Sequence, residues 1–135
     1  MILGFLTLPA VPLGPEAGAV RLRQPVVLHQ TVSSMASLSA AERAWRQSWE
    51  DLGFQLQLSD DARCRDDVAR LSRFTDDPAY LAVYDALETG VQRSDMWRYT
   101  ALYLHGGVYA DTDVVAKPPM AELLNSLPTD LNRSG

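Results

Sequence analysis

Two aspartates separated by a single residue, Asp111 and Asp113, are the side chains of this sequence that point most directly to chemistry. Carboxylate oxygens are the ligands that hard cations such as Mg²⁺ and Mn²⁺ prefer, and a diphosphate can supply further oxygens to the same ion. The tripeptide alone is weak evidence, because a 135-residue chain with twelve aspartates contains about one Asp-x-Asp by chance. The neighbouring residues therefore have to decide between a metal site and a pair of solvated acids.

The residues around this pair have the pattern of a strand that follows a double-glycine turn. The glycines at 106–107 end a helix, and residues 108–112 then have strand character. Because side chains alternate between the two faces of a strand, Tyr109, Asp111 and Asp113 are expected on one face. Residues two apart on a strand lie roughly 6.5 Å from each other, so one carboxylate can bind a cation directly and the other through water.

The preceding segment, predicted to be a helix that begins near Ser94, carries a second charged pair. Asp95 and Arg98 are three residues apart and share a face of this helix. They form either a solvent-exposed ion pair or a ligand site, in which Arg98 holds a phosphate or sugar oxygen and Asp95 accepts a sugar hydroxyl. Tyr99 and Tyr103 share a different face, which we expect to lie in the core.

Three strands and the helices between them have to position these residues. A β-branched run predicts a strand over residues 26–28, and alternation of apolar and polar residues predicts a second over residues 54–58. Between them, residues 39–42 match a capping box for a helix that ends at Gly53. Short links in a strand, helix, strand order favour parallel pairing. We therefore expect an α/β fold, a three-layer domain with a mainly parallel sheet over residues 25–119.

The two ends of the chain differ from this predicted domain. Residues 1–24 are rich in proline and glycine and are expected to be an irregular leader, and residues 120–135 are expected to be a C-terminal remnant. The apolar stretch 1–13 contains two prolines and is shorter than the ~20 residues that a bilayer requires. We therefore expect no membrane span.

Charge and cysteine content narrow the class of partner. The formal net charge is −5, and Lys117 is the one lysine among twelve basic residues. The sequence has no basic stripe, which argues against nucleic acid as a partner. An acidic chain needs a cation or a local arginine to hold a phosphate. Cys64 is alone, so no intrachain disulfide can form.

Three consecutive segments resemble a known enzyme family. The segments SDMWRY (94–99), LYLHGG (102–107) and VYADTD (108–113) resemble the DxD-containing sugar-transferase region of glycosyltransferase family 32. That family includes initiating α-1,6-mannosyltransferases and inositol-phosphoceramide mannosyltransferases. A weaker similarity extends back through residues 49–61 and VLHQT (27–31). The resemblance thus covers most of the predicted domain.

The resemblance implies both a fold and an activity. The fold would be GT-A-like, a Rossmann-like arrangement, and the reaction a metal-dependent retaining transfer of a hexose, with mannose favoured. The donor would be a nucleotide sugar such as GDP-mannose, UDP-galactose or UDP-glucose, the acceptor a glycan or glycolipid, and the cofactor Mn²⁺ or Mg²⁺. The location would be the Golgi or secretory pathway in a eukaryote and the cytoplasm in a bacterium.

The resemblance also implies roles for particular residues. Asp113 would be the more direct metal ligand, Asp111 would lie near both ribose and metal, and Arg98 would complete the catalytic set. The remaining donor-binding residues would be Asp95, Tyr109, His29, Gln30 and Thr31. The family often has Trp where this chain has Val32, and its catalytic domains continue well beyond residue 119. We therefore expect the chain to be truncated at its C-terminus.

Two other functions are compatible with parts of the pattern. A truncated or inactive transferase would keep donor binding without turnover. Residues 111–115 also fit the DxDx(T/V) pattern of haloacid-dehalogenase-like phosphatases, in which the first Asp is a nucleophile. In those phosphatases the motif follows the first strand and a long remainder follows it, so chain order argues against this alternative.

Overall fold

The structure is a computed structural model that describes residues 20–33 and 38–127. Within these residues there are three strands, β1 (Val26–Thr31), β2 (Phe54–Ser59) and β3 (Val108–Tyr109). The helices are α1 (Ala40–Asp51), α2 (Asp61–Phe74), α3 (Ala79–Ala86), α4 (Gly90–His105) and α5 (Pro118–Ser126). The strands form one parallel sheet in the order β2-β1-β3. No helix in the described ranges is long and apolar enough to cross a membrane.

Helices cover both faces of the sheet, so the predicted three-layer α/β architecture is confirmed. On one face, Leu28 of β1 packs in a core that contains Trp49 of α1 and Ala121 of α5. On the other face, a second core contains Val68 of α2 and Trp97 of α4. Central strand β1 is buried along most of its length, including the polar residues His29 and Gln30 that follow its short apolar run.

Helix α1 begins and ends where the sequence predicts. The backbone N–H of Glu42 donates to the Ser39 hydroxyl, and the Glu42 carboxylate accepts from the backbone N–H of Ser39 at 2.8 Å. These two bonds satisfy N–H groups that the first helical turn leaves without partners. Gly53, with φ of 93°, follows the last residues of the helix in the left-handed region that glycine tolerates best.

Helix α4 differs from its prediction in its start and in its buried face. It begins at Gly90 instead of near Ser94, because Thr89 provides a capping box with Gln92. The expectation that Tyr99 and Tyr103 lie in the core is wrong, since they are 73% and 62% exposed. Trp97 and Ala101 face the core instead, and a step of two residues rotates a side chain by about 200° around a helix.

Strand β3 is shorter than predicted, and this changes the geometry of the acidic pair. The strand ends at Tyr109, and a turn follows in which the Val114 N–H donates to the Asp111 carbonyl. The Gln30 side-chain amide also donates to that carbonyl at 3.1 Å. The alternation inferred for residues 108–112 therefore fails, and Asp113 lies in a turn instead of on a strand.

The packed domain extends beyond residues 25–119 at both ends. Helix α5 crosses the predicted boundary, and its Ala121 is completely buried. The Leu22 N–H donates to the Leu52 carbonyl, and the Asn125 side chain bonds to the backbone of Arg21 and Arg23. Most of the predicted leader (1–19) and the end of the predicted remnant (128–135) lie outside the described residues.

Gly107 offers a test of how closely β3 approaches β1. Its φ is +87°, and a Cβ atom there would lie 2.4 Å from the Val27 carbonyl oxygen. We expect Gly107→Ala to lower the free energy of unfolding by roughly 3 kcal/mol, from backbone strain and displacement of the neighbouring strand. Urea unfolding provides the measurement. Gly90→Ala is the matched control, because no atom lies within 4 Å of the added carbon. Equal urea midpoints for Gly107→Ala and Gly90→Ala would show that the backbone at residue 107 does not require glycine.

Candidate functional site

The predicted site residues lie where the direction of the chain across the sheet reverses. Helix α1 connects β1 to β2 across one face, and α2 to α4 connect β2 to β3 across the other. The chain therefore passes from central strand β1 to β2 at one edge of the sheet and then crosses to β3 at the other edge. In open α/β sheets, ligands bind at such a switch point, in the crevice beyond the carboxyl ends of the strands. Here that crevice lies beyond Thr31 and Tyr109.

Four of the predicted residues meet beside this crevice. Arg98 donates from Nη2 to Asp95 Oδ1 at 2.6 Å, and the same nitrogen lies 3.8 Å from Asp111 Oδ1. The Tyr109 hydroxyl donates to Asp111 Oδ1 at 2.7 Å. The Arg98 guanidinium also stacks over the Tyr109 ring, 4.7 Å from its centroid. A single cation thus lies between two carboxylates, and an aromatic ring supports it.

The hydrogen bonds in this cluster fix the orientation of its groups. Burial, followed by the bond to Asp111, raises the pKa of Tyr109, so the phenol stays protonated and acts as a donor. Both close contacts of the Asp111 carboxylate involve Oδ1. Arg98 Nε is buried without a hydrogen-bond partner in the described part of the chain. This nitrogen is therefore a buried donor that the described residues leave without an acceptor.

Asp113 lies apart from these contacts, exposed in the turn that follows β3. Among the described residues there is no group of three or more His, Cys, Asp or Glu side chains that could hold a metal ion. Two carboxylates fit a different arrangement, in which Mg²⁺ or Mn²⁺ binds one or two acidic side chains and completes its shell with substrate phosphates and water. Asp111 and Asp113 have the oxygen donors for that arrangement.

The residues at the end of β1 divide between two environments. Gln30 contacts the acidic turn through its bond to the Asp111 carbonyl. His29 instead donates from Nε2 to the Gly106 carbonyl at 3.0 Å and stacks on His105. Burial lowers the pKa of His29, which keeps its imidazole neutral. The Thr31 hydroxyl lies 3.3 Å from the thiol of Cys64. Donor binding by His29 and Thr31 therefore stays a prediction, whereas Gln30 shapes the acidic turn directly.

A cavity of about 160 Å³ lies on the α2 side of the sheet, separate from the Asp111 cluster. Asp67 lines it and accepts from the indole N–H of Trp97 at 3.1 Å. The remaining lining residues are Val27, His29, Gln57, Ser59, Arg63 and His105. The cavity shares only His29 with the predicted site residues.

Helix α1 contributes three side chains to the acidic turn that the sequence did not reveal. The Thr112 hydroxyl donates to Glu42 Oε1 at 2.9 Å, and the Trp49 indole N–H donates to the Val114 carbonyl at 2.9 Å. The backbone N–H of Ala116 donates to the hydroxyl of Ser48. The capping box identified Glu42 only as part of a helix start. Because this helix follows β1, its N-terminus lies at the carboxyl edge of the sheet. That placement was the signal in the sequence that could have located Glu42 near the acidic turn.

Comparisons with known proteins match most of this chain to one family. Residues 29–130 match the family described as the glycosyltransferase sugar-binding region containing a DXD motif. An uncharacterized glycosyltransferase of Acanthamoeba polyphaga mimivirus is 28% identical over 74% of this chain and 39% of its own length. The initiation-specific α-1,6-mannosyltransferase of Candida albicans is 28% identical over 67% of this chain and 24% of its own length.

A third relative aligns over a shorter region. Inositol phosphoceramide mannosyltransferase 3 of Schizosaccharomyces pombe is 39% identical over 38% of this chain and 14% of its own length. The chain thus spans well under half the length of each of these relatives. No solved structure matches it.

The matched region includes the carboxyl end of β1, the Arg98 helix and the acidic turn, and it covers most of the chain. In the structure the acidic pair follows the third strand, which removes the order that a haloacid-dehalogenase-like phosphatase requires. The switch-point crevice, its acidic turn and the extent of the match lead to one conclusion: the chain belongs to the family of glycosyltransferase sugar-binding regions that contain a DXD motif.

Proposed function

We propose that the crevice beside Asp111 and Asp113 is the donor site of a metal-dependent, retaining glycosyltransferase. The protein would transfer a hexose from a nucleotide sugar to a glycan or glycolipid acceptor. The observation that carries this proposal is the meeting of Arg98, Tyr109 and Asp111 at the switch point of a chain that belongs to a DXD family. Two relatives are named as mannosyltransferases, which favours mannose as the sugar.

The charges of the site fit the chemistry of sugar transfer. Cleavage of a sugar–phosphate bond places negative charge on the departing diphosphate, and preorganised positive groups stabilise that charge. Arg98 is the cation of the cluster, and its guanidinium can hold two phosphate oxygens at once. A divalent cation held by Asp111 and Asp113 would neutralise further charge on the leaving group. The excess of acidic groups is thus consistent with a site that binds its anionic ligand together with a metal ion.

The remaining side chains of the cluster would orient the donor. Asp95 is 57% exposed at its side chain and can accept a sugar hydroxyl while it holds Arg98. The Tyr109 ring stacks on the Arg98 guanidinium, and the Tyr109 hydroxyl orients Asp111 through a hydrogen bond. Orientation of this kind raises the rate of transfer, because the donor is bound in the reactive geometry that it would otherwise adopt only rarely.

Removal of the exposed carboxylate at 113 tests metal-dependent donor binding. We expect Asp113→Ala to weaken Mn²⁺-dependent binding of GDP or UDP at least about tenfold, because one of two acidic ligands is lost. The free energy of unfolding should change by less than ~0.5 kcal/mol, since an exposed turn residue is replaced. Titration calorimetry with and without EDTA, and urea unfolding of the same samples, provide the measurements.

Asp66→Ala is the matched control, because Asp66 is also exposed but lies on α2. The same affinity in Asp113→Ala as in the control would show that Asp113 is not a ligand. Nucleotide binding that EDTA leaves unchanged in the wild-type chain would contradict the metal dependence itself.

Conservative replacement of the arginine tests its forked geometry. We expect Arg98→Lys to lower turnover of the donor about a hundredfold, because an ammonium group cannot contact two phosphate oxygens or stack on Tyr109 in the same way. Release of nucleoside diphosphate from GDP-mannose, UDP-galactose and UDP-glucose measures the effect on the full protein.

Arg65→Lys is the matched control for this variant. It alters another exposed ion pair, in which two Arg65 nitrogens bind both oxygens of Asp85, at 2.8 and 2.7 Å. Equal turnover in Arg98→Lys and Arg65→Lys would show that the Arg98 contacts contribute only to surface structure and not to catalysis.

A further inference from the structure

The apex of the acidic turn is fixed by a side chain from another element. We propose that Glu42 of α1 is a positioning residue, which sets the affinity of the Asp111–Asp113 turn for a divalent cation with a diphosphate. This inference rests on the proposed function of that turn. The contact that carries it is the bond from the Thr112 hydroxyl to Glu42 Oε1, at 2.9 Å.

Thr112 is the residue between the two carboxylates, so a constraint on it acts on both. The Thr112 backbone joins Asp111 to Asp113, and its side chain is half-buried where both acids are exposed. A hydroxyl that donates to a carboxylate makes a charge-assisted bond, which is stronger than a bond between neutral groups. The bond therefore restricts how far the two acidic side chains can move relative to α1.

Glu42 is itself held rigidly enough to act in this way. Its second oxygen, Oε2, accepts from the backbone N–H of Ser39 at 2.8 Å, and its own N–H donates to the Ser39 hydroxyl. The bonds to Ser39, with a smaller contribution from Thr112, hold the pKa of Glu42 below its ordinary value. The carboxylate is thus ionised at neutral pH, and its two oxygens connect the helix start to the turn.

The other anchors of this segment hold its ends and not its apex. Gln30 binds the Asp111 carbonyl, and Trp49 binds the Val114 carbonyl at 2.9 Å. Each of these bonds constrains the backbone on one side of residue 112. The bond to Glu42 holds the residue between them, so it is the contact whose loss should change the spacing of the carboxylates while leaving the fold intact.

The test separates the hydroxyl from the helix cap. Thr112→Val removes the donor but keeps the branched shape, and it leaves the Ser39 and Glu42 capping bonds in place. We expect the Kd for GDP with Mn²⁺, and in a separate series for UDP with Mn²⁺, to rise about tenfold for the nucleotide that the wild-type chain binds. Thr112→Ser keeps the hydroxyl and should restore affinity to within about twofold.

Ser39→Ala is the control for indirect effects through α1. It removes the capping hydroxyl but keeps the backbone N–H that binds Glu42 Oε2, so it should lower Tm by about 4 °C with little change in Kd. Calorimetry gives the affinities, thermal unfolding gives Tm, and hydrogen exchange of residues 111–116 reports on the turn itself. Thr112→Val should speed exchange there, and Ser39→Ala should not.

The outcomes distinguish this inference from the proposed function. Wild-type affinity in Thr112→Val, or an equal loss of affinity in Ser39→Ala, would overturn the positioning role while donor binding stands. A wild-type chain that binds neither nucleotide with Mn²⁺ would overturn the proposed function, and the positioning role with it.

Discussion

The pairing of β3 with the carboxyl half of β1 is the contact on which the site depends. Only two residue pairs form it, Leu28 with Val108 and His29 with Tyr109. The backbone bonds of so short a strand cannot fix its position alone. Contacts with the neighbouring residues provide the additional constraints. The Gly107 backbone lies against the Val27 carbonyl, where a side chain would not fit. The imidazole of His29 holds the Gly106 carbonyl at the start of the strand.

Beyond the strand, side chains replace the missing sheet. Gln30 binds the first carbonyl of the turn, and α1 binds the residues that follow. These bonds connect the acidic turn to both β1 and α1. The position of the turn relative to the switch-point crevice is therefore set by these two elements and not by α5. A turn held in this way can present exposed carboxylates without a large cost in conformational entropy when a ligand binds.

The arginine is positioned by a different mechanism, through its buried neighbour. Trp97 is completely buried, and its indole N–H donates to Asp67 of α2. That bond fixes the rotation of α4 about its axis, and the rotation determines which face of the helix carries Asp95 and Arg98. Asp67 also accepts from His105 at 3.4 Å, so the same carboxylate links the end of α4 to α2. The polar groups under the helix thus contribute to the geometry of the charged groups on its surface.

The sequence by itself determined the local structure and the chemistry of the side chains. The capping box at Ser39, the strands around Leu28 and Leu56, and the ion pair of Asp95 with Arg98 all follow from residues close together in the chain. Patterns of this kind report on neighbours within a few residues, which is the range over which periodicity and caps act. The family resemblance came from the same local segments.

Only the tertiary structure decided how these pieces meet. The strand predicted over residues 108–112 stops at Tyr109, and the chain enters a turn whose Asp111 carbonyl accepts from the Gln30 side chain of another strand. Packing on α2 determines which face of α4 is buried. The sequence of α4 has apolar residues on several sides, so it does not specify that face by itself. The link from Glu42 to Thr112 spans seventy residues, so neither residue carries a local signal of it. Long-range contacts of this type depend on the folded topology, which places the start of α1 beside the end of β3.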